Sequence, residues 1–69
     1  MILLNPKEHP VGERLLVTRG EQDYFSVRVV EWAPSGRYVL LKTKGGGADW
    51  VKAAWNNVSL VEVLPSRDL

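Results

Sequence analysis

Few residues of this chain have the types and spacing that catalysis requires. A hydrolytic triad needs a nucleophile, a base and an orienting acid within mutual reach, and the one histidine, His9, lies between Pro6 and Pro10. Segments of this kind hold a fixed geometry poorly, so we expect His9 to be an exposed loop residue. The acidic residues are scattered over predicted loops and strand exteriors, with no pair set apart for acid and base roles. The sequence therefore predicts a protein that is not an enzyme and has no catalytic residues.

The sequence also has few residues that could bind a metal ion or a cofactor. A Cys/His zinc site cannot be built from one histidine and no cysteine. The three glycines at 45–47 lack the GxGxxG or GxxxxGK[ST] spacing of phosphate-binding loops, and no helical segment follows them. We therefore expect neither a metal site nor a small-molecule cofactor.

The six aromatic side chains carry more information than the acids or the histidine. A core of this size holds about two or three large rings, so the others must lie at the surface. We assign Phe25 to the interior, whereas Trp32 and Trp50 fit the core and the surface equally well. Exposed aromatic side chains anchor protein interfaces because they bury a large area with little loss of entropy. The predicted protein-binding patch consists of Tyr24, Trp32, Trp50 and Trp55.

Charge is distributed unevenly along the chain, although its net value is only +1. Residues 28–52 hold five Lys/Arg against two Asp/Glu, a net of +3, and the remaining residues hold four against six, a net of −2. Basic residues contact phosphates and aromatic rings stack on bases, although basic residues on a strand exterior also serve solubility alone. The alternative to a protein-binding patch is a nucleic-acid-binding face formed by Arg28, Arg37, Tyr38, Lys42, Lys44 and Lys52.

Five short strands with turn signals between them must position these side chains. The clearest, residues 24–33, alternates apolar and polar side chains up to Val29. The alternation slips at Val30, which predicts a bulge or bend there. A proline-serine-glycine turn ending at Gly36 joins this strand to the next in a hairpin over residues 24–44. The predicted strands are 14–19, 24–33, 37–44, 49–52 and 58–64, with a single 3₁₀ turn over residues 53–57 before the last strand.

Closure of these strands into a small barrel is the architecture that fits the chain length. Sixty-nine residues are too few for a seven-stranded sandwich, and a closed barrel has no exposed strand edges. The predicted domain covers residues 11–64, between an irregular N-terminal arm at 1–10 and a tail at 65–69. Residues 1–4 fit either a short added strand or a loose tail.

The ends of the chain and its composition indicate the compartment. No stretch approaches the roughly 20 apolar residues of a membrane span, and the N-terminus lacks the basic lead and apolar run of a secretory signal. The absence of cysteine agrees with a reducing environment. We expect a soluble cytoplasmic protein without a membrane partner.

The order of the predicted elements resembles that of SH3-like small barrels, the group that includes SH3, Tudor and KOW-type domains. The shared features are a short first strand (LLVTR), a long central hairpin through APSG, a short fourth strand (DWV), and a 3₁₀ segment (AAWNN) leading into the last strand (VSLVEVL). They cover roughly residues 11–64. The resemblance implies an all-β, five-stranded SH3-like barrel in which the aromatic residue of the 3₁₀ segment, Trp55, is exposed and lines a ligand groove.

Comparison with signalling SH3 domains, and with a second group that the chain resembles, narrows the function. Signalling SH3 domains have adjacent tryptophans at the start of the third strand and a proline-tyrosine pair near the 3₁₀ turn, and this chain has neither. Small archaeal chromatin proteins pair a hairpin with a Gly-rich loop similar to KTKGGGADW, but they are lysine-rich and this chain is not.

Near-neutral charge and a high aromatic content favour a non-catalytic module that binds a protein partner or a second copy of itself. Nucleic acid is the alternative partner. A third option, an aromatic cage for methylated lysine as in Tudor domains, requires several rings to converge.

Overall fold

The structure, a computed structural model, describes residues 1–65. Over this range the chain is all-β, which confirms the predicted class, and it has no helix that could cross a membrane. Of the tail predicted at 65–69, only Pro65 falls among the described residues. The strands are β1 (Ile2–Leu3), β2 (Arg14–Arg19), β3 (Asp23–Trp32), β4 (Tyr38–Thr43), β5 (Ala48–Lys52), β6 (Ala54–Trp55) and β7 (Ser59–Leu64).

Five of the strands form one antiparallel sheet in the order β5-β4-β3-β2-β7. The hairpin predicted over residues 24–44 is confirmed as β3 and β4. In its turn, the N–H of Gly36 donates a hydrogen bond to the carbonyl of Ala33 at 2.9 Å. Gly36 has a φ of 75°, a conformation that residues with a Cβ rarely adopt, and this explains why the turn ends in glycine.

A bulge in β3 at Val30 confirms the predicted slip in the alternation. Val29 pairs with Leu41, whereas Glu31, and not Val30, pairs with the preceding residue of β4. The extra residue shifts the alternation by one position, so that Val29 and Trp32 both face the core although they are three residues apart.

The core lies on one face of this sheet, where cross-strand neighbours meet in register. Leu15 is opposite Val27, and Val17 is opposite Phe25. Phe25 faces inward, as predicted, and packs half-buried against the core. The buried apolar residues of the core are Ile2, Leu4, Leu15, Val17, Val27, Val29, Val39, Leu41 and Val58.

The prediction of a 3₁₀ turn over residues 53–57 is wrong. Ala54–Trp55 form β6 instead, which pairs antiparallel with β1, and the N–H of Leu4 donates to the carbonyl of Ala53 at 2.9 Å. The N-terminal segment thus supplies hydrogen-bond partners that a 3₁₀ turn would have supplied locally. Residues 1–4 therefore contain a short added strand.

The prediction that His9 is an exposed loop residue is also wrong, since the residue is only 6% exposed. Its Nδ1 accepts a hydrogen bond from the N–H of Asn5 at 3.3 Å, and its own N–H donates to the carbonyl of Asn5 at 2.8 Å. The indole N–H of Trp32 donates to the carbonyl of His9 at 2.8 Å. Contacts with β3, far away in sequence, therefore hold this proline-rich segment in place.

Candidate nucleic-acid interface

Strands β2 to β5 have a second face, opposite the core, which we call the outer face. Side chains alternate along each strand, so the neighbours of the buried residues point away from the core. The cross-strand register then decides which of these side chains are adjacent. The outer face consists of Arg14, Leu16, Thr18, Tyr24, Ser26, Arg28, Glu31, Tyr38, Leu40, Lys42, Ala48, Trp50 and Lys52.

Three basic residues occupy adjacent positions across the outer face, and we call them the cation row. Arg14 of β2 lies opposite Arg28 of β3, and Arg28 lies opposite Lys42 of β4. Neighbouring strands are ~4.8 Å apart, so the row spans about 10 Å. A groove of about 340 Å³, the basic groove, follows the row and is lined by Arg14, Ser26, Val27, Arg28, Lys42, Thr43, Lys44 and Gly45.

No acidic side chain lines the basic groove. Glu31 lies on the outer face opposite Leu40, one position along from the cation row, and does not line the groove. Like charges directly opposite each other on a sheet are destabilising, by roughly 0.2–1 kcal/mol per pair. A row of basic side chains without acidic partners is suited to a ligand that carries regularly spaced negative charge, such as a phosphate backbone.

Trp50 is an exposed aromatic residue of the outer face that lies beside the cation row, and Tyr38 lies further along β4. Trp50, 50% exposed, is opposite Leu40, and Tyr38 is opposite Lys52. Lys42 is two residues along β4 from Leu40, so Trp50 and Lys42 are diagonal neighbours at ~7–8 Å. A base stacked on Trp50 would therefore place its phosphate near Lys42.

The four aromatic residues of the predicted protein-binding patch are not brought together on one surface. Tyr24 and Trp50 are exposed on the outer face, with the cation row between them. Trp32 and Trp55 are half-buried and pack against the core. Trp55 meets Phe25 edge to face, with ring centroids 6.1 Å apart, so much of its indole is used inside the fold.

The residues predicted for the alternative nucleic-acid face fall into two groups. Arg37 and Lys52 line a second groove, next to Leu3 and Ala54 of the β1–β6 pair. Tyr38, on the outer face opposite Lys52, lines this groove as well. The basic groove contains the other three residues, Arg28, Lys42 and Lys44.

Arg14 belongs to the cation row, but the sequence-based reasoning did not include it. The register that places it there is set by the β2–β3 turn, which centres on Glu21 and pairs Arg19 with Asp23. Counting outward from this pair places Arg14 opposite Arg28.

The edge strand β7 was also missed as a surface feature. Leu60 and Val63 lie opposite the buried residues Val17 and Leu15, yet no element covers them within residues 1–65. Leu60, Val61 and Val63 are 39%, 46% and 48% exposed, respectively. Glu62 is the only charged residue of β7. This apolar edge is the feature of the described chain best suited to contact with another protein chain.

Residues 1–65 contain no group of three His, Asp or Glu side chains placed to hold a metal ion. The basic groove and the apolar edge are the surfaces on which the two candidate functions below are based. Comparison of the chain with protein-family models, with curated proteins and with solved structures finds no match.

Proposed function

We propose that this protein is a non-catalytic nucleic-acid-binding domain that contacts the phosphate backbone through the cation row on its outer face. The observation that carries this proposal is the cation row, in which three basic side chains are adjacent across three strands and no acid lines their groove. Electrostatic attraction to phosphates supplies most of the affinity in sequence-independent binding. A net charge of +1 does not oppose this proposal, because the cations are concentrated where the ligand would lie.

Arg14 and Arg28 have a different role in binding from that of the exposed Trp50. Arg14 and Arg28 present planar guanidinium groups, which contact phosphate oxygens with two parallel hydrogen bonds. Trp50 offers a ring face on which any base can stack, so it adds affinity without selecting a sequence. The proposed contact is therefore tolerant of sequence and sensitive to salt.

We propose that the fold that carries this surface is an SH3-like barrel. The bulge at Val30 supports it, because a bent central strand allows one sheet to curl and its two halves to share that strand. The pairing of β1 with β6 supports it as well, since these strands cover part of the core that the main sheet leaves open. Absence of cysteine supports action in the cytoplasm.

Contact with a protein partner, or with a second copy of the chain, is the second candidate function. It rests on the apolar edge of β7 and no longer on the four aromatic residues, two of which are half-buried against the core. The nucleic-acid proposal ranks first because the cation row has an electrostatic cost that a ligand would remove, whereas some exposed apolar area is ordinary on small proteins.

Titration of fluorescently labelled DNA of random sequence, over a range of salt concentrations, tests the proposed function. Neutralisation of one phosphate by each of the four groove cations predicts a log–log slope of about −3 to −4. Replacement of Trp50 by Ala should weaken binding to a single strand roughly 5- to 150-fold, since base stacking on an aromatic ring is worth ~1–3 kcal/mol.

Tyr24→Ala is the matched control, because Tyr24 is an exposed aromatic residue of the outer face on the far side of the cation row. It should bind DNA as the unmodified protein does. No detectable binding at low salt, or a slope near zero, would refute the proposed function.

A further inference from the structure

We infer that the basic groove is a discrete phosphate site, centred on Arg28, which the protein maintains at a cost to its own stability. This inference rests on the proposed function and assigns it to one part of the outer face. The shared ligand chemistry is the phosphate group, whether it belongs to a nucleic-acid backbone or to a free phosphorylated molecule.

Arg28 is the member of the cation row with a cation directly opposite on both sides. Arg14 is its partner on β2 and Lys42 its partner on β4. Opposed side chains on neighbouring strands have Cβ atoms only ~4.5–5.5 Å apart, so the repulsion within each pair acts at short range. Removing the charge of Arg28 relieves both pairs at once, whereas removing either neighbour relieves one.

No acidic side chain lines the groove around Arg28, and the nearest acid along β3, Glu31, lies opposite Leu40 and outside the groove lining. The residues that line the groove are basic, hydroxyl-bearing or uncharged, and Ser26 lies two residues from Arg28 on the same outer face. Hydroxyl and guanidinium groups donate hydrogen bonds to phosphate oxygens.

This arrangement links ligand binding to stability. An anion that binds the folded chain and not the unfolded chain stabilises the fold in proportion to its occupancy. The same anion also screens the repulsion within the cation row. The free protein should therefore gain stability either from phosphate or from loss of the Arg28 charge, but not from both together.

Thermal unfolding in a low-salt buffer tests this inference with inorganic phosphate as the probe and sodium chloride of equal ionic strength as its reference. Low millimolar phosphate keeps the general stabilising effect of excluded salts small. Without phosphate, Arg28→Gln should raise Tm by roughly 2–5 °C, because two like-charge pairs disappear. Phosphate should raise the Tm of the unmodified protein above its value in chloride, and this increment should be absent from Arg28→Gln.

Lys7→Gln is the matched control, since it removes one exposed cation from the N-terminal arm, away from the groove. It should leave Tm, the phosphate increment and DNA binding unchanged. For DNA binding, Arg28→Gln should make the salt slope shallower by about 1.

Three results separate this inference from the proposed function. If DNA binds with the expected slope but Arg28→Gln changes neither the slope nor the phosphate increment, the phosphate site is refuted and the proposed function stands. A phosphate increment that depends on Arg28, in a protein that binds no DNA, refutes the proposed function and supports a site for free phosphorylated molecules. An Arg28→Gln variant that is less stable than the unmodified protein without phosphate refutes the inference.

Discussion

At the scale of single residues, the side chain of Trp32 connects two segments that are distant in the sequence. Its ring packs half-buried against the core, and its N–H donates to the carbonyl of His9. The carbonyl and the ring nitrogen of His9 are both hydrogen-bonded, the latter to the backbone of Asn5. One indole therefore fixes the position of the N-terminal arm on β3, and this structural use leaves Trp32 only partly exposed.

Replacement of Trp32 by Phe should lower the free energy of unfolding by about 1–3 kcal/mol, because it removes the donor, leaves the His9 carbonyl without a partner and reduces the buried area. Urea unfolding, followed by circular dichroism, measures the change. Trp50→Phe is the control, since Trp50 is exposed and its change should lie within ~0.5 kcal/mol. Equal effects of the two substitutions would show that the hydrogen bond of Trp32 contributes nothing.

At the scale of strands, the two edges of the main sheet are protected from pairing to different degrees. β5 carries Asp49 and Lys52 among its five residues, and charged side chains discourage pairing with other chains. β7 carries only Glu62 among six residues and exposes three apolar side chains. A register shift opposite Leu16 and Val17 bends β7 and limits regular pairing along its whole length. β7 is therefore suited to a weak contact with another chain.

Sedimentation equilibrium should show weak, concentration-dependent self-association of the unmodified protein, because an interface limited to one short strand falls below the roughly 1,200 Å² of typical stable complexes. Val61→Lys should abolish it by placing a charge in the apolar edge. Ala48→Lys, at an exposed position of β5, should leave it unchanged. A protein that stays monomeric at high concentration would exclude the β7 edge as an interface between copies.

At the scale of the whole molecule, the N-terminal arm is part of the folded domain. Ile2 and Leu4 belong to the core, and β1 pairs with β6 over the part of the core near Trp55. A domain of this length has a small margin of stability, ~0.05–0.15 kcal/mol per residue. Loss of the arm would therefore remove a large share of that margin.

Leu4→Ala should lower the free energy of unfolding by about 2–5 kcal/mol, because Leu4 is 2% exposed and its truncation leaves a cavity. Leu3→Ala, one position away at a residue that is 67% exposed, should cost much less. Thermal and urea unfolding of the two variants provides the comparison. Similar losses from both substitutions would contradict the placement of Leu4 in the core.

Much of the main sheet could be predicted from the sequence because the residues that determine its strands and turns are close together in the chain. The β-prone residues at 14–19, the alternation along 24–29, the slip at Val30 and the turn ending at Gly36 depend on neighbours a few positions apart. The bounds of β2 agree with the prediction, and those of β3 and β4 agree within one residue at each end. Part of the basic groove followed from charge, since Arg28, Lys42 and Lys44 were already candidates.

The remaining features were decided by contacts between distant segments. Burial of His9, the pairing that replaced the predicted 3₁₀ turn, and the half-burial of Trp55 all depend on where the first ten residues fold back onto the sheet. Residue types and local periodicity thus determined which segments become strands and where charge accumulates along the chain. The tertiary structure decided which aromatic rings remain at the surface. It also decided that Arg14 joins Arg28 and Lys42 in one row, because long-range burial and strand register are not encoded in local spacing.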